Sequence, residues 1–137
     1  MVAAIHAGFK QSRAVLTRRI IGACKNAHVH IIAHPTGRLW GVRDAYDVDM
    51  DEILRVAKDT NTHLEINSFA DRLDLNDRNA RRAKEAGVTL AIDTDAHLLG
   101  HLDSMYLGVS VARRGWLGKS DVINALPLDG LLRVLKK

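Results

Sequence analysis

The sequence predicts an α/β fold with parallel strands and outer helices, and two observations support this class. Short apolar runs of four or five residues alternate along the chain with longer stretches that have helical spacing. Strands that alternate with helices form a parallel sheet, because each helix returns the chain to the starting edge of the sheet. The order βαβαβαβ, followed by further helices, fills the 137 residues without a repeat or a linker. We therefore expect a single domain over residues 1–137.

Four apolar runs are predicted to be the strands, at residues 1–5, 29–33, 63–66 and 88–92. The second run is closed by Pro35, which has no N–H to donate to a neighbouring strand. Polar residues follow each run, and the fourth run leads into the segment Asp-Thr-Asp-Ala-His. The carboxyl ends of these strands therefore bring polar side chains to one edge of the sheet.

Helices are predicted between and after the strands. Residues 11–25 place Leu16, Ile20 and Cys24 on one stripe, and residues 50–57 have the i, i+3, i+4, i+7 apolar spacing of an amphipathic helix. Residues 76–86 form a third helix, with Gly87 where a left-handed cap is expected. Three further helical segments are predicted, at 98–114 with irregular flanks, at 121–125 with Ser120 as N-cap, and at 128–135.

Composition limits the classes of function. The formal net charge is +4 at pH 7, and basic pairs such as Arg81-Arg82 suit a phosphate-rich partner or else form solvated helix faces. The single cysteine, Cys24, excludes an internal disulfide and is expected to be a small core residue. No apolar run is long enough to span a membrane, and no secretory pattern opens the sequence. We expect a cytoplasmic protein without membrane contact.

Four candidate metal ligands follow the predicted strands: His6, His34, Asp95 and His97. Parallel α/β folds build their sites at the carboxyl ends of strands, and imidazole and carboxylate groups bind Zn²⁺ or Mn²⁺. If the segment is extended, Asp95 and His97 point the same way and reach one cation together. The alternative is that Asp95 caps the next helix and His97 lies on the surface.

Other histidines are less suitable as ligands. His28 and His30 have ligand-like spacing but open their strand, and His30 lies about 13 Å from His34 along an extended chain. His63 also opens its strand. We expect all three at the opposite edge of the sheet, away from the candidate site.

Further polar residues are expected beside the ligands. Glu65 and Asn67 end the third strand on one face, where they either orient a ligand or substrate group or cap the next loop. Three arginines in the same loops are candidates to bind a substrate phosphate: Arg38, Arg43 and Arg72. The alternative for each arginine is a salt bridge to a loop aspartate.

Several segments resemble a known family when they are taken together. They read IHAGF, IIAHPTGRLWGVRDAYDVDM, LEINSFADRLDLND, RRAKEAGV, IDTDAH and ARRGWL. In this order they resemble the polymerase and histidinol phosphatase (PHP) domain, and most closely the PHP domain at the C-terminus of bacterial family X DNA polymerases. The resemblance covers nearly the whole sequence, and its motifs HPTGR, DRLDLND and TDAH are together highly specific.

The resemblance implies a distorted, seven-stranded, TIM-like (β/α) barrel, whose C-terminal half this chain is similar to. It implies up to three divalent ions, Mn²⁺ or Zn²⁺, and it gives ligand roles to His6, His34, Asp95 and His97. Asp95 and His97 are expected to take part in the reaction as well. The reactions of the family are phosphoester hydrolyses, and the polymerase branch implies 3′–5′ exonuclease activity and processing of DNA 3′ ends.

The sequence also departs from the family. The earlier H-x-H, a further histidine, an acidic ligand and the early strands have no counterpart here, and neither do the polymerase aspartates, so we do not expect DNA synthesis. A partial barrel has two open sheet edges, and we expect a homodimer or an exchange of elements to cover them. Two other functions stay open: a small-molecule phosphatase similar to histidinol phosphatase, and a non-catalytic module that supports a polymerase or binds DNA.

Overall fold

The computed structural model describes all 137 residues and contains one parallel sheet of four strands. The strands are β1 (Val2–Ala3), β2 (Ile31–Ile32), β3 (His63–Asn67) and β4 (Leu90–Asp93). Neighbouring strands in the sheet follow the order of the chain, β1-β2-β3-β4, and every pair is parallel. The predicted α/β class and the four strands are confirmed, although β1 and β2 are shorter than the apolar runs that predicted them.

The helices lie close to their predicted positions. They are α1 (Arg13–Cys24), α2 (Met50–Asp59), α3 (Asp77–Glu85), α4 (Met105–Arg114) and α5 (Leu128–Val134). A 3₁₀ helix at Leu99–Ser104 precedes α4, in agreement with the irregular flank expected there. None of the helices combines the length and the apolar character that crossing a membrane would need.

One predicted helix is wrong. Residues 121–125 do not form a helix capped by Ser120 but two 3₁₀ turns, Lys119–Asp121 and Ile123–Ala125, on either side of Val122. Val122 is extended and forms a parallel bridge with Leu90, so the sheet interrupts the helical pattern. The first turn is capped at Gly118, whose N–H donates to Asp121 Oδ2 over 2.7 Å.

Capping side chains determine where the helices after β2 and β3 begin. Asp49 accepts a hydrogen bond from the N–H of Glu52 at the start of α2, and Asn76 accepts one from the N–H of Asn79 at the start of α3. These caps fix the ends of the loops that leave β2 and β3. Gly87 follows α3 with a φ of +78°, which confirms the predicted left-handed position.

The core lies between the sheet and its helices. Leu16, Ile20 and Cys24 of α1 are all buried, and Cys24 is completely inaccessible, as expected of a core residue. Because consecutive parallel strands are joined by right-handed crossovers, α1, α2 and α3 pack on the same face of the sheet. Leu64 and Ile66 of β3 belong to this apolar core.

The other face of the sheet is polar near its carboxyl edge. Side chains alternate along β3, so Glu65 and Asn67 point away from the helices. Asn67 pairs in register with Asp93 of β4, which places these polar groups side by side. A sheet with sequential strands and helices on one face is compatible with part of a (β/α) barrel, whereas closure with seven strands stays a prediction.

Candidate metal and phosphate site

The candidate site lies at the carboxyl edge of the sheet. His6 follows β1, His34 follows β2, Asn67 ends β3 and Asp95 follows β4. Since all four strands run in the same direction, their carboxyl ends converge on this edge. The positions inferred from the sequence are therefore brought to one side of the molecule.

His6 and His34 lie next to one another. Their ring centroids are 5.3 Å apart and the planes meet at 76°, in an edge-to-face arrangement. The side chain of His6 is exposed, whereas His34 is buried and only 4% accessible. The Nδ1 atom of His34 is buried without a hydrogen-bond partner. A buried nitrogen without a partner is uncommon in folded proteins, and this one is available to a ligand.

The environment of His34 keeps its imidazole neutral. Burial lowers the pKa of His34 to about 4, and the positive charges of Arg72 and His6 act in the same direction. Asp95 opposes this shift only in part. The ring is therefore in the neutral form, which is the form that binds metal ions, throughout the physiological pH range.

Asp95 is held by contacts from the end of β3 and from the loop that follows it. Its Oδ2 atom accepts a hydrogen bond from Asn67 Nδ2 over 3.3 Å and lies 3.6 Å from Nε of Arg72. Its backbone has a φ of +49°, a left-handed conformation that is uncommon for a residue other than glycine. The N–H of Asp95 donates to Oδ1 of Asp93 over 3.1 Å, which stabilises this turn.

The placement of His97 differs from the extended geometry used to predict it. Because Asp95 is left-handed, the segment turns, and the alternation of an extended strand does not apply. The His97 ring is exposed and its Nδ1 atom lies 2.7 Å from the carbonyl oxygen of Asp95. His97 is thus close to the backbone of Asp95.

Glu65 and Asn67 both contact site residues. Glu65 Oε2 accepts a hydrogen bond from the backbone N–H of His34 over 2.6 Å, and His34 has a strained φ of +31°. Asn67 donates to Asp95 and also accepts from the N–H of Phe69, so it orients a site residue and caps its own loop. The contact with Phe69 agrees with the alternative that Asn67 caps its loop, whereas its role toward a bound ligand or substrate stays a prediction.

Asp93 is a member of this cluster that the sequence reasoning missed. Burial and the nearby charge of Asp93 raise the pKa of Glu65 to about 9, and burial also raises the pKa of Asp93. The two carboxyl groups hydrogen-bond to one another, and we place their shared proton on Glu65 at neutral pH. The available signal was the aspartate in IDTDAH, two residues before Asp95 and on the polar face of β4.

The three candidate arginines have different contacts. Arg38 donates from Nε to the carbonyl of Arg72 over 2.9 Å and from Nη2 to the carbonyl of Leu73. Arg43 donates to the carbonyl of Gly37 and lies 3.7 Å from the ring centroid of Phe9. Only Arg72 contacts a candidate ligand, which is Asp95. The Nη1 atom of Arg72 is buried without a hydrogen-bond partner. None of the three forms the salt bridge to a loop aspartate from residues 44, 47, 71 or 74 that was the alternative.

The donors suit Zn²⁺ or Mn²⁺ in kind, but the chain does not present a preformed set of ligands. No group of three or more His, Cys, Asp or Glu side chains lies close enough to hold an ion. The unpartnered Nδ1 of His34 beside the His6 ring is compatible with a metal, while Asp95 is engaged by Arg72 and Asn67. The fit is therefore partial, and a complete site needs movement or further ligands.

The three histidines that were not expected to be ligands lie at the edge of the sheet opposite the candidate site. His30 Nδ1 is 2.6 Å from the terminal amino group of Met1, and His63 Nδ1 is 2.7 Å from Oγ1 of Thr89. His28, two residues before His30, is exposed. Their separation from the site agrees with the prediction from their position at strand starts.

Comparison with known proteins finds relatives of two kinds. The DNA polymerase/3′-5′ exonuclease PolX of Bacillus subtilis (strain 168) is 45% identical over all 137 residues, which are 24% of its own length. A probable phosphatase of Thermoanaerobacter sp. (strain X514) is 31% identical over 114 residues, covering 79% of this chain and 44% of the relative. A probable phosphatase of Caldicellulosiruptor bescii is 36% identical over 87 residues, covering 59% of this chain and 33% of the relative.

The chain thus spans about a quarter of the polymerase relative and less than half of these phosphatase relatives. No protein-family model matches the chain. The match to the polymerase extends over all 137 residues of this chain, so it includes every candidate site residue described above.

Proposed function

Since this chain is a relative of the PHP domain at the C-terminus of family X DNA polymerases, we propose that it forms part of a metal-dependent phosphoesterase site that hydrolyses DNA at 3′ ends. His6, His34, Asp95 and His97 are the residues that would hold the metal ions, Mn²⁺ or Zn²⁺. Asp95 and His97 are also proposed to act in the reaction.

One observation carries this proposal. Two buried nitrogens without partners, Nδ1 of His34 and Nη1 of Arg72, lie at the same edge of the sheet. Arg72 contacts Asp95, and the charges of both Arg72 and Asp95 act on the pKa of His34. A neutral imidazole suits a metal ion and a guanidinium N–H suits a phosphate oxygen, so the pair matches the two parts of a metal–phosphoester complex.

The residues of the chain have separate roles in this proposal. When bound, divalent ions polarise phosphoryl oxygens and offset developing negative charge. Arg72 would donate from Nη1 to a phosphate oxygen and exchange its contact with Asp95 for the substrate. Glu65 and Asp93 would position His34 and Asp95, because each accepts the backbone N–H of one of them.

A small-molecule phosphatase is the second candidate. The phosphatase relatives from Thermoanaerobacter and Caldicellulosiruptor favour it, because they match 114 and 87 residues of this chain. The net charge of +4 and the polymerase relative, at higher identity, favour DNA. The two substrates require the same chemistry at the site, so they must be separated by assay.

The test begins with metal content. Mass spectrometry on protein purified without chelator is expected to find bound Mn or Zn in the parent and a loss of at least tenfold in the double variant Asp95→Ala, His97→Ala. The matched control is His28→Ala, an exposed histidine outside the site, which should bind as much metal as the parent. Equal metal content in all three proteins would contradict the ligand assignment.

Substrate choice is tested next. The parent, supplied with Mn²⁺, is expected to shorten a 5′-labelled single-stranded oligodeoxynucleotide from its 3′ end, and the double variant is not. Faster hydrolysis of a phosphate monoester such as p-nitrophenyl phosphate, with the oligonucleotide intact, would select the small-molecule phosphatase instead. No hydrolysis of either substrate by a folded, metal-loaded chain would leave the non-catalytic module.

A further inference from the structure

Trp40 is an exposed aromatic residue at the edge of the candidate site. Aromatic residues make up only 4% of the chain, and the side chain of Trp40 is 57% accessible to solvent. It lies in the loop after β2, six residues beyond His34, and therefore at the carboxyl edge of the sheet. The Trp40 ring is therefore an exposed aromatic surface at the edge of the candidate site.

The backbone of Trp40 is held by hydrogen bonds within its own loop and to a second loop. Leu39 and Arg43 form an antiparallel bridge, and the N–H of Arg43 donates to the carbonyl of Leu39 over 2.8 Å. The N–H of Trp40 itself donates to the carbonyl of Asp71 over 2.7 Å, which joins this loop to the loop after β3. The ring is thus presented by a fixed turn, and little conformational entropy is lost when it binds a partner.

Two arginines connect Trp40 to Asp95. The guanidinium carbon of Arg38 lies 4.6 Å from the centroid of the Trp40 ring, in a cation–π contact. The same guanidinium donates to the backbone carbonyl of Arg72, whose side chain pairs with Asp95. One face of the indole is therefore covered by Arg38, and the opposite face, called the open face, is the one left for a partner.

Trp116 is the second exposed tryptophan of the chain and serves as a comparison for Trp40. It is 68% exposed and also has an arginine on its ring, with Arg81 at 4.5 Å from the centroid. However, its carbonyl accepts a hydrogen bond from Lys84, and both Lys84 and Arg81 belong to α3, so Trp116 lies beside α3 and not in the loop that follows β2. A stacked, exposed tryptophan is common to both positions, and only Trp40 adjoins the candidate site.

We propose that the open face of Trp40 stacks on the base at the 3′ end of single-stranded DNA, while the adjoining phosphate reaches Arg72. This inference rests on the proposed function, and it names the part of the substrate that the metal and phosphate site does not bind. Every base has a π-face, so stacking holds a strand end without selecting its sequence. Arg38 and Arg43, in the same loop, supply positive charge beside the platform.

Fluorescence quenching tests this proposal. The variant Trp116→Phe leaves Trp40 as the single tryptophan of the full chain. In the presence of a chelator, an oligodeoxythymidylate of about ten nucleotides, within the known range of single-strand site sizes, is expected to quench its emission. The same oligonucleotide without its 3′-terminal base is expected to quench less and to bind about five- to 100-fold more weakly.

Two variants serve as matched probes. Trp40→Leu is expected to lose the preference for the intact oligonucleotide over the abasic one, whereas Trp116→Leu, which replaces an exposed tryptophan beside α3, is expected to keep it. Equal preference in Trp40→Leu and the parent, or no quenching of Trp40 by DNA, would overturn the proposal. Because binding is measured without metal, quenching in a chain that hydrolyses nothing would refute the proposed reaction while supporting the base site.

Discussion

The carboxyl group of Glu65 accepts a hydrogen bond from the backbone N–H of His34 over 2.6 Å. This bond joins the end of β2 to the middle of β3, across 31 residues of sequence. It holds His34 in a left-handed conformation that places an imidazole next to that of His6. A buried acid thus holds the backbone of a candidate ligand.

Removing this acceptor is expected to destabilise the chain. Glu65→Ala leaves the N–H of His34 buried without a partner and creates a cavity, whereas Glu65→Gln keeps an acceptor oxygen and nearly the same volume. The free energy of unfolding of the alanine variant is therefore expected to be about 2–4 kcal/mol lower than that of the glutamine variant. Urea denaturation of both, at one pH, measures the difference, and equal stabilities would mean that the hydrogen bond contributes nothing.

The proton on Glu65 makes the stability of the folded chain fall as the pH rises. The pKa of Glu65 is raised by burial from 4.5 to about 9, so the folded chain holds a proton that the unfolded chain releases. Stability is therefore expected to fall as the pH rises between about 4.5 and 9, by up to about 1.4 kcal/mol per unit. Chelator-treated Glu65→Gln should lose this slope. A slope that persists in the variant would assign it to another group.

His34 produces the opposite dependence in acid. Its pKa falls from 6.5 to about 4, so below pH 6.5 the unfolded chain binds a proton that the folded chain excludes. Stability should fall as the pH decreases from 6.5 to 4, and this limb should be clearest in Glu65→Gln, where the opposing carboxyl is absent. Adding His34→Asn should flatten it. Denaturation of metal-free protein across this range provides the measurement.

Arg72 is expected to oppose metal binding and to favour phosphate binding. Its Nε lies 3.6 Å from Asp95 Oδ2, so Arg72→Gln removes a positive charge from the neighbourhood of the candidate ligands. We expect metal affinity to rise about two- to fivefold, the magnitude of a partly exposed ion pair, while KM for a phosphate ester increases. Calorimetric titration with Mn²⁺ and steady-state kinetics separate the two effects, and Arg55→Gln, whose only ion pair is with Asp59, is the matched control. A fall in metal affinity would show that Arg72 supports the ligands.

Two glycines test how α4 and α1 pack. A Cβ at Gly108 of α4 would lie 1.9 Å from Ser68 Oγ and 2.8 Å from Ile92 Cγ2, whereas at Gly22 of α1 nothing lies within 4 Å. Gly108→Ala is expected to destabilise the chain by about 1–3 kcal/mol through overpacking. Gly22→Ala should stabilise it by up to about 1 kcal/mol, because alanine favours helix. Thermal denaturation of both variants decides, and a stabilised Gly108→Ala would contradict the close packing of α4 on β3 and β4.

The open edge of the sheet predicts self-association. β1 is an edge strand on which Val2 is 56% exposed, beside a groove of about 290 Å³ that includes Ile5, Ile20 and Ile32. Paired edges or exchanged elements would cover this surface, and a charge on the edge strand disfavours pairing. Sedimentation is expected to find dimers of the parent and mostly monomers of Val2→Lys. A parent that sediments as a monomer at all concentrations would exclude the dimer.

Much of the site was accessible from the sequence because parallel topology makes strand ends equivalent. Once the apolar runs ending near Ile5 and Ala33 are recognised as parallel strands, His6 and His34 must lie at one edge, and their rings do meet there. The positions of Glu65 and Asn67 followed in the same way from the period of two along β3. Helix starts were less accessible: the predicted cap Ser120 was wrong, and the caps Asp49 and Asn76 were found only in the structure.

The sequence by itself determined the α/β class, the order of the strands and the edge that bears the site, since these depend on local periodicity and on the direction of parallel strands. Only the tertiary structure decided that Asp93 shares a proton with Glu65, that Arg72 pairs with Asp95, and that Val122 interrupts a helix to pair with Leu90. Each of these contacts joins residues 23 to 32 positions apart. Their energies depend on distance and burial, which are properties of the packed chain and not of any local pattern.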